Sequence, residues 1–133
     1  MVTSLNSATP GRDVGYLVEQ MMRKVVLFTD TSNVVVGGLP ANALITGGQV
    51  SVSTAFSGTT PVINVGFTDA TASSLSAYAS AQAVATAGTA TMNAVLTSGA
   101  LPLSRATTVV ASVLGTTMAA GACEVVLRFV VGP

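Results

Sequence analysis

Few side chains in this sequence could carry out chemistry. The chain has no histidine and a single cysteine, which excludes zinc sites built from His and Cys, histidine-assisted nucleophiles and an internal disulfide. Lys24 is the only amine side chain that could activate one of the thirty-one Ser and Thr hydroxyls, and none of these stands in a Ser-x-x-Lys or nucleophile-elbow spacing. Cys123 falls on an apolar strand face, which predicts a buried, inert thiol.

The acidic residues and the glycine doublets indicate no site either. Paired-carboxylate catalysis and Ca²⁺ or Mg²⁺ binding need clustered carboxyl groups, whereas the carboxyl groups of this chain are scattered. They belong to Asp13, Glu19, Asp30, Asp69 and Glu124. Gly37-Gly38 and Gly47-Gly48 lack the Lys-Ser pair and helix that follow a phosphate-binding loop, so they predict turns. We therefore expect no catalytic residues, no cofactor, no metal and no enzymatic activity.

The composition narrows the classes of partner. Half of the residues are hydrophobic and 8% are charged, and five basic side chains balance five acidic ones. Zero net charge argues against nucleic acid and anionic membranes as partners. A membrane-spanning helix needs about 20 consecutive apolar residues, but Gly, Pro, Ser, Thr or Asn interrupts the apolar stretches every few residues. The hydrophobic surplus therefore predicts a surface that other protein covers.

The hydrophobic pattern from Val25 onward is that of β-strands. Apolar and polar residues alternate over short segments that turn residues separate, which is typical of a sandwich or barrel. With one ambiguous segment, 72–88, the pattern predicts about eight strands and a small antiparallel β-sandwich of jelly-roll type. The clearer strands are 25–29, 33–40, 45–56, 62–68, 89–96, 106–114 and 122–131.

Two neighbouring segments, 45–56 and 62–68, predict a hairpin. Alternate residues of each segment are apolar, and the residues between the two segments favour a turn. The expected inward residues are Val50, Val52 and Phe56 on the first strand and Ile63, Val65 and Phe67 on the second.

The last strand, 122–131, has an unusual outer face. Its expected inward residues are Cys123, Val125, Leu127, Phe129 and Val131, and its outward ones are Glu124, Val126, Arg128 and Val130. An outer face that is half valine is uncommon in a monomer and predicts a covered surface.

Segment 72–88 has two interpretations. Alanine favours helix, yet alternate residues from Ala77 to Ala87 are alanine, which is a strand pattern. Ser73 and Ser74 could cap one helical turn before Tyr78, with a strand at 82–86 after it.

The N-terminal residues differ from the rest, and we expect an arm over 1–24 followed by a β-sandwich domain over 25–133. Residues 1–11 are polar and predict a flexible start. Segment 13–24 predicts a short helix or an extended arm. Its apolar residues at helical spacing would pack either on their own domain or on a neighbouring subunit; they are Val14, Leu17, Val18 and Met21.

Segment 39–70 resembles a known family. It has a Leu-Pro-Ala entry at 39–41, a strand that ends in Thr-Ala-Phe at 54–56, a glycine turn at Gly58, a Val-Gly strand at 65–66 and a loop with Asp69. This series resembles the jelly-roll cement or decoration proteins on the heads of tailed bacteriophages. The Leu-Pro-Leu at 101–103 and the strands after it suit the same plan.

The resemblance implies a structural protein of the virion. Such a protein is made in the host cytoplasm, sits on the outer surface of the capsid and clamps neighbouring copies of the major capsid protein. It is expected to self-associate, as a homodimer or else a homotrimer. The expected contact residues are Arg12, Tyr16, Met21, Met22, Arg23, Lys24, Val126, Arg128 and Val130.

The alternative is a phage tail or fibre module, or another β-module that binds a surface. Sugar recognition would need aromatic rings and carboxylates at loop tips. Tyr78 and Asp69 are the main candidates for that role in this sequence.

Overall fold

The computed structural model describes residues 19–30, 32–69, 73–95 and 105–131, and these residues form eight strands and no helix. This confirms the predicted all-β class and strand count. The strands are β1 (Gln20–Leu27), β2 (Val34–Leu39), β3 (Ala43–Thr54), β4 (Thr59–Thr68), β5 (Ser73–Ala83), β6 (Gly88–Thr91), β7 (Thr107–Thr116) and β8 (Ala122–Val131).

The strands form two four-stranded antiparallel sheets. The first sheet has the order β1-β8-β3-β6 and the second the order β2-β7-β4-β5. Every connection except the one from β4 to β5 crosses from one sheet to the other, which is the arrangement of a jelly roll. The apolar faces of the two sheets meet in the core of this sandwich.

The predicted hairpin between 45–56 and 62–68 is wrong. β3 pairs with β8 and β6 in the first sheet, whereas β4 pairs with β7 and β5 in the second. Alternation reports which face of a strand is buried, and it does not identify the strand's partner. Between the two strands the chain crosses the sandwich, with Phe56 buried and its N–H donating to the Val84 carbonyl at 3.0 Å.

The inward faces are largely as predicted. Ile63, Val65, Val125 and Leu127 are fully buried, and Cys123 is 1% exposed. Full burial of an aliphatic side chain of this size contributes roughly 1.5–3 kcal/mol. β8 has the predicted limits, and its outward residues are only partly exposed.

β1 begins earlier than the sequence predicted. It starts at Gln20 and not at Val25, and it pairs with β8 without interruption up to Leu27. The helix interpretation of segment 13–24 is therefore wrong for Gln20–Lys24, and the expected boundary after residue 24 falls inside a strand. Val14, Leu17 and Val18 lie outside the described residues.

Segment 73–83 is a strand from its first residue, so the predicted helical turn at Ser73 and Ser74 is wrong. The predicted strand at 82–86 also ends early, because β5 stops at Ala83. β5 shifts register twice against β4, and Ala81 has a positive φ of 46°. These irregularities bury Tyr78 and Ala79 side by side and break the alternation that the alanines suggested.

The strand predicted over 89–96 is shorter in the structure. β6 has four residues and ends at Thr91. Met92 is buried as expected, and residues 93–95 form a turn that buries Val95 instead of continuing the alternation. Leu96 lies outside the described residues.

The connections gather at two ends of the sandwich. At one end Phe28 N–H donates to the Gly121 carbonyl at 3.1 Å, and Ser57 N–H donates to the Ala120 carbonyl at 3.0 Å. At the other end Arg105 donates to the Asp69 carboxylate and joins the β4–β5 and β6–β7 connections. β1 begins and β8 ends at this second end.

Candidate interaction surface

The structure places most of the predicted contact residues on two adjacent strands. β1 carries Met21 to Lys24 and β8 carries the three predicted residues of the last strand, and the two strands pair directly. Met21 lies opposite Arg128, and Arg23 lies opposite Val126. Arg12 and Tyr16 lie outside the described residues.

The outward side chains of these strands form an apolar surface. We call it the outer patch and define it by Met21, Val25, Leu27, Leu44, Val126 and Val130. Met21 is 58% exposed, Val25 is 53% exposed and Leu44 of β3 is 45% exposed. Leu44 pairs with Val130, which extends the patch across three strands.

Sequence reasoning missed three members of the outer patch. Val25 and Leu27 continue the alternation that Met21 begins. Assignment of residues up to 24 to an arm conceals this alternation. Leu44 precedes the predicted start of its strand, so the sequence alone gave it no face.

Met22 and Lys24 point to the opposite side of β1 from the outer patch. Met22 is half-buried and packs against the core, and its sulfur would lie 3.2 Å from a Cβ added to Gly37 of β2. This contact joins the edges of the two sheets. Lys24 is exposed and forms no ion pair with any residue that the structure describes.

Two arginines lie beside the outer patch. Arg23 donates through Nε and Nη2 to Glu124 Oε2, at 3.0 and 2.6 Å. The pair is exposed, so it contributes little to stability. The Arg128 guanidinium lies across Gly47, where it occupies the space that a Cβ would need. Arg128 has no acidic partner among the described residues.

Tyr78 and Asp69 do not form a sugar-binding pair at a loop tip. Tyr78 is 1% exposed, its ring centroid lies 6.2 Å from that of Phe67, and burial raises its pKa to about 12. The Asp69 side chain is 9% exposed and accepts a hydrogen bond from Arg105. Sequence reasoning missed this ion pair because its partners are distant in the chain.

Cys123 is buried, as predicted. Burial raises the pKa of its thiol to about 11, so the thiol is protonated near neutral pH. A protonated, inaccessible thiol is a poor nucleophile and a poor metal ligand.

A cleft of about 240 Å³ lies between β3, β5 and β6. Gln82 is its main polar side chain, and the amide is already used: Nε2 donates to the Thr91 carbonyl and Oε1 accepts from Asn93 N–H, at 3.1 and 3.0 Å. No charged residue of the described ranges lines the cleft. It therefore offers little for recognition of a polar ligand.

In the described ranges, no three His, Cys, Asp or Glu side chains come together as metal ligands would. None of the residues in these ranges belongs to a helix that could cross a membrane.

Chains from three phage capsids match this arrangement of strands. A chain of the cyanophage Pam1 capsid asymmetric unit matches with a TM-score of 0.64 at 25% identity, over 86% of this chain and 85% of that one. The protein has the fold of phage capsid chains. No protein-family model and no curated protein matches the sequence.

Two other phage capsids contain chains with the same fold. In the acid-stable capsid of the Helicobacter pylori bacteriophage KHP30, the match has a TM-score of 0.65 at 17% identity and covers 86% of this chain and 88% of that one. In the capsid of Ralstonia phage GP4, it has a TM-score of 0.60 at 18% identity and covers 87% and 86%. Since the shares covered are nearly equal, these phage capsid chains are close to this one in length.

Proposed function

We propose that this protein is a non-enzymatic structural component of a phage virion. In this proposal it decorates the outside of the head and stabilises it by clamping neighbouring copies of the major capsid protein. The observation that carries the proposal is the match of 86% of this chain to 85% of a chain from a phage capsid. A single jelly roll therefore accounts for most of each of the two chains.

The outer patch is the surface we propose to face the shell. Its exposed side chains are apolar, and burial of each one against another protein contributes roughly 1.5–3 kcal/mol at most. Arg128 adds a cation that has no described acidic partner and that could pair with a carboxylate of the shell. Many identical contacts on one shell would add through avidity.

The segment before β1 has a separate role in the proposal. Gln20 pairs with Phe129 at the beginning of β1, so β1 begins beside the outer patch. We propose that the residues before β1 reach over the shell or over a sister subunit. We also propose self-association as a homodimer, with a homotrimer as the alternative.

Deletion of residues 1–18 tests that role. We expect the truncated protein to retain the far-ultraviolet circular dichroism of a β domain and to bind the head more weakly. Loss of the folded state would instead show that these residues belong to the core of the domain.

Co-sedimentation with phage heads tests the function. The probe is the expanded head of the phage that encodes this chain, prepared from a deletion mutant that lacks it. We expect the purified protein to pellet with these heads and to raise the temperature at which they release DNA. Bare heads, together with binding to host cells, would instead favour a tail or fibre module.

A pair of matched variants tests the surface. Met21→Asp places a charge in the outer patch, and Val35→Asp places one on the second sheet at a side chain that is also 58% exposed. We expect Met21→Asp to weaken binding to the heads at least about tenfold and Val35→Asp to leave it unchanged. The reverse result would place the shell contact on the second sheet.

A further inference from the structure

β1 differs from the other edge strands of the two sheets. Edge strands expose unpaired N–H and C=O groups, and proteins usually shorten, bulge or interrupt them. β6 has four residues, β5 has two register shifts, and β2 has a shift between Val35 and Gly37. β1 has eight residues in continuous register with β8. It is the long, regular edge of the described sheets.

The hydrogen bonds between β1 and β8 identify which backbone groups of β1 face the open edge. Phe28 N–H donates to the Gly121 carbonyl, one step beyond the pair of Leu27 with Ala122. Hydrogen-bonded and non-hydrogen-bonded pairs alternate along an antiparallel ladder. The odd-numbered residues of β1 therefore direct their N–H and C=O groups away from β8; they are Met21, Arg23, Val25 and Leu27.

Among the described residues, these groups find a partner only at Leu27. Asp30 Oδ2 accepts the Leu27 N–H at 2.8 Å, and Asp30 N–H donates to the Leu27 carbonyl at 3.0 Å. No described residue pairs with the edge groups of Met21, Arg23 and Val25. Open donors and acceptors at every second residue are what an added β-strand binds.

A second copy of this chain fits the edge poorly. A two-fold axis normal to the sheet requires outward residues to oppose outward residues. Two such registers pair seven of the eight residues of β1 with a second copy. In one register Arg23 lies opposite Arg23 of the second copy, and in the other Lys24 lies opposite Lys24 of the second copy. Like charges directly opposite each other destabilise a sheet. An extended segment with an acidic residue avoids this repulsion and offers a partner to Lys24.

We propose that β1 accepts an extended, acidic segment of the shell protein as an added strand of the first sheet. This inference rests on the proposed function and names the way in which the partner is held. Met21, Arg23 and Val25 supply the backbone hydrogen bonds, and Lys24 supplies the charge that selects the segment.

Val25→Pro tests the proposal, with Val25→Ala as the matched control. Proline removes the Val25 N–H and its ring obstructs the edge, whereas alanine shortens the side chain and keeps the N–H. Because this N–H does not bond to β8, we expect both variants to fold. We expect Val25→Pro to bind heads that lack the chain at least about tenfold more weakly than Val25→Ala does.

Hydrogen exchange of the wild-type protein gives an independent readout that does not depend on the proline variant folding. We expect the amides of Met21, Arg23 and Val25 to exchange fast in the free protein and at least about tenfold more slowly on the heads. Unchanged exchange on decorated heads would overturn the proposal.

The outcomes separate this inference from the proposed function. If the wild-type protein does not bind heads, the proposed function fails. If Val25→Pro folds and binds heads as well as Val25→Ala does, decoration stands and the added strand is wrong. If the free wild-type protein already protects these amides and Val25→Pro dissociates it to a smaller species in sedimentation, a second copy occupies the edge and the shell segment is wrong.

Discussion

Asp30 closes one end of the open edge of β1, because it forms hydrogen bonds with both the N–H and the C=O of Leu27. Its carboxylate accepts the Leu27 N–H at 2.8 Å, and its own N–H donates to the Leu27 carbonyl at 3.0 Å. The turn after β1 thus provides the hydrogen bonds that a neighbouring strand would otherwise provide. The exposed edge is limited to the residues before Leu27.

The first prediction concerns this contact. Asp30→Ala leaves the Leu27 N–H without its side-chain acceptor, so we expect the free energy of unfolding to fall by about 1 kcal/mol. Asp30→Asn keeps an acceptor oxygen and should lie close to the wild type. Urea denaturation of the three proteins measures the difference. Equal loss in both variants would show that the negative charge, and not the hydrogen bond, stabilises the turn.

The second prediction concerns Gly66 of β4. The backbone of β5 lies against this glycine. A Cβ added to Gly66 would overlap the Ser74 carbonyl oxygen and the Leu75 backbone. Gly66→Ala must displace backbone, so we expect a loss of about 1–3 kcal/mol. Gly38→Ala is the control, because a Cβ there meets nothing within 4 Å. Thermal unfolding should separate the two variants, and similar melting temperatures would contradict the close packing of β5 on β4.

The third prediction compares the two ion pairs of the described residues, which are Arg105–Asp69 and Arg23–Glu124. The Asp69 carboxylate is 9% exposed, whereas the Glu124 side chain is 31% exposed. We expect Arg105→Ala to cost about 1–2 kcal/mol, because it removes a charged donor from a carboxylate that is largely shielded from water. Arg23→Ala should cost less than about 1 kcal/mol. Chemical denaturation in low and high salt measures both. A larger effect from Arg23→Ala would reverse this ranking.

The fourth prediction concerns alkaline pH. Burial raises the pKa of Tyr78 from 10.0 to about 12 and that of Cys123 from 9.0 to about 11. Both groups then lose protons more readily in the unfolded chain, so their contribution to stability is complete below pH 9 and declines as pH rises toward 12. We expect a loss on the order of 2 kcal/mol from each group across this range.

Denaturation as a function of pH checks this expectation. Tyr78→Phe and Cys123→Ala should each make the alkaline decline less steep, since each removes one of the titrating groups. A decline of the same steepness in the Tyr78→Phe variant would mean that Tyr78 titrates alike in the folded and unfolded chains.

The sequence predicted best where alternation is uninterrupted. β8 has the predicted limits because each residue from Cys123 to Phe129 alternates between the core and the outer face. The same rule failed in β5, where bulges bury Tyr78 and Ala79 together. A bulge adds a residue without a distinctive side-chain signal, so alternation alone cannot locate it.

Strand partners were the other limit. The alternation of β3 and β4 identified their buried faces, yet the two strands belong to different sheets. For a related reason, only part of the candidate surface could be predicted. Alternation identifies Val126 and Val130 as outward valines, whereas Leu44 joins them only through the pairing of β3 with β8. Proximity between distant segments comes from topology, which residue types do not specify.

Electron cryomicroscopy of heads from the deletion mutant, after incubation with the purified protein, tests the central claim most directly. We predict regular density for the jelly roll on the outside of the shell, with the outer patch and β1 turned toward the major capsid protein. Heads that remain bare under conditions in which the protein is folded would contradict the account. Density inside the shell would contradict it as well.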